Sequence, residues 1–106
     1  MTEVEIENKT NLYGIKCTGH SGYAEAGKDI VCAGISTLTQ SFVMAVETYS
    51  DTEDIDVKIN EYEDGYMHIL YYDPEGILKP AFEMAKLGLE AISDAYPNNV
   101  NIEYKF

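Results

Sequence analysis

The stretch from Asp29 to about Ser50 constrains the fold more than any other part of the chain. Val31, Ile35, Leu38, Phe42 and Ala45 recur there at steps of four and three, which makes a helix with one apolar stripe. On either side the period changes from that of a helix to that of a strand. Val4 and Ile6 alternate with Glu3, Glu5 and Glu7, and after the polar turn Asn8–Asn11 the residues Tyr13, Ile15 and Cys17 alternate likewise. Beyond the acidic turn around Asp51–Asp54, Ile55, Val57 and Ile59 mark a third strand. Glu63-Asp64-Gly65 reads as a turn and Tyr66–Tyr72 as a fourth strand. A second helix is predicted from about Leu78 to Tyr96, with Leu78, Phe82, Ala85, Leu89, Ile92 and Tyr96 on one face. Pro80 is tolerable only in its first turn, and Pro97 stops it. Val100, Ile102 and Tyr104 make a last strand. The order β-β-α-β-β-α-β predicts an α+β fold, a mixed β-sheet carrying two helices. With 106 residues, no linker and no low-complexity segment, residues 1–106 read as a single small domain.

Nineteen acidic residues face seven lysines, with no arginine, for a formal charge of −12. Nucleic-acid binding needs a basic footprint that this chain lacks, so no direct nucleic-acid partner is expected. The negative field suits plain solvation or attraction of a basic partner, and charge alone does not separate the two. No unbroken apolar run approaches the roughly 18–20 residues that span a bilayer, and the acidic, alternating amino terminus is unlike a signal peptide. No membrane partner and a cytoplasmic location are therefore expected. Cys17 and Cys32 would be reduced thiols in that compartment.

Chemistry concentrates between Gly19 and Ser36. Cys32 falls in the first turn of the first helix, where unpaired backbone N–H groups and the positive end of the helix dipole favour negative charge on sulfur. It lies about 100° around the helix from Val31, at the edge of the apolar stripe rather than its centre. Packing stays open as its role, since free cysteine is commonly a small buried hydrophobe. His20 ends the second strand, where a glycine-containing loop begins and leads back to the helix start. Alone it reads as a surface histidine. Paired with a helix-start cysteine it reads as a base that takes the thiol proton and returns it to a leaving amine. Asp29 is placed to cap the helix through the N–H of Val31 or Cys32, or else to orient His20 and stabilise its imidazolium. Ser36 shares the Cys32 side of the helix, as a partner for substrate or thiol or as a back-bonded helical serine.

The loop Ser21–Lys28 gains freedom from Gly22 and Gly27, while Ser21, Glu25 and Lys28 offer little apolar surface to anchor it. It is expected to be mobile without substrate and to close over a bound peptide; the alternative is a loop already packed through Tyr23. Cys17 shares a strand face with Tyr13 and Ile15 and reads as a core thiol, and His68 as an ordinary strand residue. A zinc site built on Cys17, His20 and Cys32 falls short of four ligands, so neither a metal nor another cofactor is expected. Gly34, inside the helix, suggests close approach of another backbone.

Gly19-His20, followed by Gly27-Lys28-Asp29-Ile30-Val31-Cys32-Ala33-Gly34 and Ser36, resembles the signature of the ribosomal-processing cysteine protease family, Prp. The likeness is densest over residues 19–36, while length and element order agree across the chain. The resemblance implies a homodimeric cysteine endopeptidase whose partner is a ribosomal protein precursor. From that large-subunit protein it would remove a short hydrophobic N-terminal extension, cutting after a pair of aromatic residues. It also implies Cys32 as nucleophile and His20 as base, with Asp29 and Ser36 in support. Cys32 would attack the carbonyl, backbone N–H groups near the helix start would hold the oxyanion, and water would release the acyl-enzyme. The rival reading is a non-catalytic, ribosome-associated binding module in which Cys32 merely packs.

Overall fold

Alternation commits each strand to one apolar face, and pairing joins those faces into a surface that a helix stripe can cover. In the computed structural model, which describes residues 1–25 and 27–106, the strands are β1 (Thr2–Lys9), β2 (Leu12–Thr18), β3 (Asp56–Glu63), β4 (Tyr66–Tyr72) and β5 (Val100–Lys105). Helix α1 (Ile30–Ser50) follows β2, and α2 (Lys79–Ala95), with a proline in its first turn, precedes β5. The predicted order β-β-α-β-β-α-β is the observed one. The strands lie in the order β3-β4-β2-β1-β5, with β1 parallel to β5 and the other neighbours antiparallel, which makes the sheet mixed.

Register sets Val4 opposite Cys17 and Cys17 opposite Met67, and Ile6 opposite Ile15 and Ile15 opposite Ile69. One face of the three central strands is therefore apolar, and it shares a single core with Val31, Ile35, Phe42 and Val46 of α1 and Phe82, Ala85 and Leu89 of α2. Tyr13 stacks on Tyr71 at 5.6 Å and meets the edge of Phe82 at 5.1 Å, which fastens α2 to the middle of the sheet. The opposite face carries Glu5, Lys16 and His68 in adjacent strands. Burial, then the Lys16 charge, pushes the His68 imidazole below its ordinary value, against the pull of Glu61, Glu7 and Glu5. His68 belongs to that outer face.

Three details differ from the sequence pattern. The centre of the α1 stripe is Val31, Ile35, Thr39, Phe42 and Val46, with Leu38 and Ala45 only partly buried beside it. Thr39 is tolerated there because its hydroxyl donates to the Ile35 carbonyl at 2.8 Å. Leu38 turns toward α2, where a Cβ on Gly88 would stand 2.6 Å from its Cδ2. Within the chain, no strand among the described residues approaches Gly34, which faces the Ile92 side chain, and the tight position is Gly88. By length and composition α1 is apolar enough to cross a bilayer, although polar residues interrupt every apolar run; here its stripe packs into the core.

The third difference is in β3. Lys58 has no partner across the ladder, because Val57 pairs with Tyr71 and Ile59 already pairs with Leu70. This β-bulge reverses the alternation beyond it, so Ile59 does not share the face of Val57 as its spacing implies. Tyr62 now stands opposite Met67, on the helix side of the sheet. The bonds from α1 agree: Gln40 donates to the Tyr62 hydroxyl at 2.7 Å, and Asn60 donates to Glu47 at 2.9 Å.

Candidate active site

The start of α1, the end of β2 and the β3–β4 turn meet around a cleft of about 150 Å³. Cys32 lines it from the first helical turn together with Ser36, while His20 lines it from the end of β2 and Tyr62, Gly65 and Met67 form the remaining wall. The structure thus gathers the predicted Cys32, His20 and Ser36 at one cleft. No hydrogen bond joins His20 to Cys32; the bonds of the sulfur are to Ser21.

Asp29 caps α1. Its Oδ1 accepts the Cys32 N–H at 2.9 Å, and its carbonyl accepts the Ala33 N–H at 3.1 Å. Its Oδ2 accepts the Ser21 hydroxyl at 2.5 Å and the Tyr23 N–H at 3.2 Å. Burial alone would raise this carboxyl, but hydrogen bonds from the Ser21 hydroxyl and the Cys32 and Ala24 N–H groups outweigh it and bring the pKa down to about 2. Of the two roles open to Asp29, capping is the one its contacts display. Because its folded pKa lies below the unfolded value of roughly 3.9, the stability it contributes is present above pH 4 and lost as the pH falls toward 2. Asp29→Ala is expected to cost about 1 kcal/mol, read as a lower urea midpoint at pH 7, with the difference from wild type narrowing toward pH 2. An equal midpoint at pH 7 would show that the cap contributes nothing.

Ser21 carries a role that sequence reasoning missed. It was expected to have little to anchor it, yet only 2% of its surface is exposed. Its N–H donates to Cys32 Sγ at 3.2 Å, its hydroxyl oxygen accepts from Sγ at 3.4 Å, and its carbonyl accepts from Asn99 at 3.1 Å. The loop that sequence reasoning expects to close over a peptide therefore has a fixed start, and its two glycines take left-handed conformations, Gly22 with φ +72° and Gly27 with φ +85°. Tyr23 packs edge-on against Tyr96 at 5.2 Å, the packing that was the alternative to a free loop. Ala26, within the same loop, lies outside the described residues. Sequence reasoning placed Ser21 in the loop but not at the sulfur, since its burial depends on Asp29 and Asn99 reaching it from elsewhere in the chain.

Cys17 lines the floor of the same cleft, where burial pushes its thiol up to about 12. It stays protonated and inert beside a half-buried Cys32 held by two polar contacts. Although Cys17, His20 and Cys32 share the cleft, no group of three or more His, Cys, Asp or Glu side chains among the described residues is placed to hold a metal ion. A sulfur nucleophile, a nearby imidazole and a backbone donor on the sulfur are the parts that acyl transfer needs.

Known proteins resemble this chain over most of its length. A family model described as cysteine protease Prp matches residues 1–101. The ribosomal processing cysteine protease Prp of Mycoplasma genitalium is 31% identical over 84 residues, which cover 79% of this chain and 80% of that protein. Its counterpart in Bacillus subtilis is 30% identical over 98 residues, covering 86% and 84% respectively. The crystal structure of the essential ribosomal processing protease Prp from Staphylococcus aureus, in complex with a covalently linked product peptide, superposes with a TM-score of 0.82 at 27% identity, covering 99% of this chain and all of that one.

Proposed function

Because this chain belongs to the Prp family of cysteine proteases, we propose that it is a ribosomal-processing endopeptidase with Cys32 and His20 as its catalytic dyad. The observation that carries this reading is the Ser21 N–H bonded to the sulfur of Cys32 in the first turn of α1, with His20 in the same cleft. Cys32 Sγ attacks the substrate carbonyl carbon, and its proton passes to His20 and on to the leaving amine nitrogen. Water opens the resulting thioester: it gives a proton to His20 as its oxygen bonds the carbonyl carbon, the C–S bond breaks to release the acid product, and the Cys32 sulfur takes the proton back from His20. The Cys32 and Ala33 N–H groups are already taken by Asp29. The Ser21 N–H, aimed at the sulfur, is therefore the backbone donor best placed for the oxyanion that forms next to it. Ser36 supports the substrate from the next helical turn.

The substrate in this reading is a large-subunit ribosomal protein with a short hydrophobic N-terminal extension, cut after a pair of aromatic residues. An apolar groove of about 260 Å³ favours it, since the groove continues from the cleft past Thr39, Tyr62 and Met67 to Val43 and Met44. The net charge of −12 suits a basic client. Incubating the protein with the extended ribosomal protein of its own cell should release one N-terminal peptide ending in aromatic residues, identified by mass spectrometry. Binding of that precursor without any cleavage would instead favour the non-catalytic module. The same reading carries a cytoplasmic homodimer, which sedimentation and cell fractionation test directly.

A further inference from the structure

We propose that Gly65, in the β3–β4 turn, is a positioning residue for His20: its bare Cα is the surface on which the imidazole is held in the cleft. The inference rests on the reading of His20 as the base and adds what orients it. The carboxylate that sequence spacing offered for that task, Asp29, is occupied by Cys32, Ser21 and Tyr23. His20 is itself exposed. Its ring instead lies against the turn. A Cβ at position 65 would stand 2.9 Å from His20 Nε2, 3.3 Å from Cε1 and 3.5 Å from Cδ2. The first of these distances is closer than non-bonded carbon and nitrogen tolerate.

The main chains at this point are also tied together. Gly19, the residue before His20, donates its N–H to the Gly65 carbonyl at 2.8 Å. Neither strand end can draw back to make room for a side chain without breaking that bond. The imidazole would have to move instead, and it would move within the cleft that also holds Cys32. Gly65 has φ +73°, so the turn by itself already favours glycine. A turn requirement alone, however, admits asparagine, which adopts positive φ readily. The ring contact does not. That difference separates the two explanations for glycine here.

The test compares Gly65→Asn with Gly76→Ala, the latter a substitution at φ +67° where a Cβ meets nothing nearer than Lys79 at 3.8 Å. On a cleavable peptide, Gly65→Asn is expected to lower kcat about tenfold to a hundredfold with KM near wild type, since a small misplacement of a catalytic group has effects of that order. The limb of its pH–rate profile that reports the base should move toward that of a variant lacking the imidazole. Gly76→Ala should keep the wild-type kcat and profile. A folded Gly65→Asn protein with wild-type kcat and profile overturns the proposal and leaves Gly65 a turn residue only. Proton NMR of the wild-type protein decides the point if that variant does not fold: an Overhauser contact between a His20 ring proton and the Gly65 Hα protons is expected, and its absence overturns the proposal. This second readout needs no catalysis, so failure of the protease reading and failure of the positioning role are told apart.

Discussion

Cys32→Ala is expected to abolish peptide cleavage, a loss on the order of 10⁴-fold or more, in a protein that remains folded. The size follows from the chemistry, because no other nucleophile stands ready in the cleft. Cys17 is there, but its thiol is pushed up to about 12 by burial and packs among core residues. The fold should survive because Cys32 sits at the rim of the core, and the Asp29 cap uses its backbone N–H rather than its sulfur. Cys17→Ala should show the reverse profile, with most activity kept and a stability loss of about 1 kcal/mol from the lost buried sulfur. Initial rates and urea midpoints on both variants read the contrast. A Cys32→Ala protein that still cuts at the normal rate would remove the basis of the mechanism.

The second large effect is at His20. His20→Ala is expected to lower the rate roughly 10²- to 10⁴-fold, the usual contribution of a positioned general base, with an unchanged urea midpoint. The imidazole is exposed on the cleft wall, so truncating it removes no core packing. The limb of the pH–rate profile that reports the base should flatten in the variant. Wild-type turnover there would exclude His20 as base.

Much of the fold was legible because periodicity reports which face of an element is buried. Val4, Ile6, Tyr13, Ile15 and Cys17 all point as their spacing requires, and the turn around Gly65 and the proline-started second helix stand where predicted. Periodicity says nothing about which strands are neighbours, so the place of β1 between β2 and β5 could not be read. It also assumes an unbroken ladder, and Lys58 breaks it. Thr39 escaped notice because its hydroxyl is satisfied by a backbone carbonyl, so a polar residue occupies an apolar slot. The site divides along the same line. Cys32, Asp29, Ser36 and His20 fall within one short segment, so sequence spacing alone could propose them together. Ser21, Tyr62 and Gly65 owe their places at the cleft to contacts across the fold, to Asn99, to Gln40 and to His20 itself.

The bulge in β3 has an evolutionary side. Between Val57 and Tyr62 the strand spends four residues, 58–61, against three on its neighbour, Leu70, Ile69 and His68. Losing one codon inside a strand is ordinarily ruinous, because every side chain downstream changes face. Here the loss of any one of those four codons would erase the bulge and restore an even ladder, with Tyr62 still opposite Met67 and the turn that carries Gly65 still in place. The hairpin thus holds one residue of slack just ahead of its working end. A variant one residue shorter within β3 should still present the same wall to whatever peptide enters the cleft.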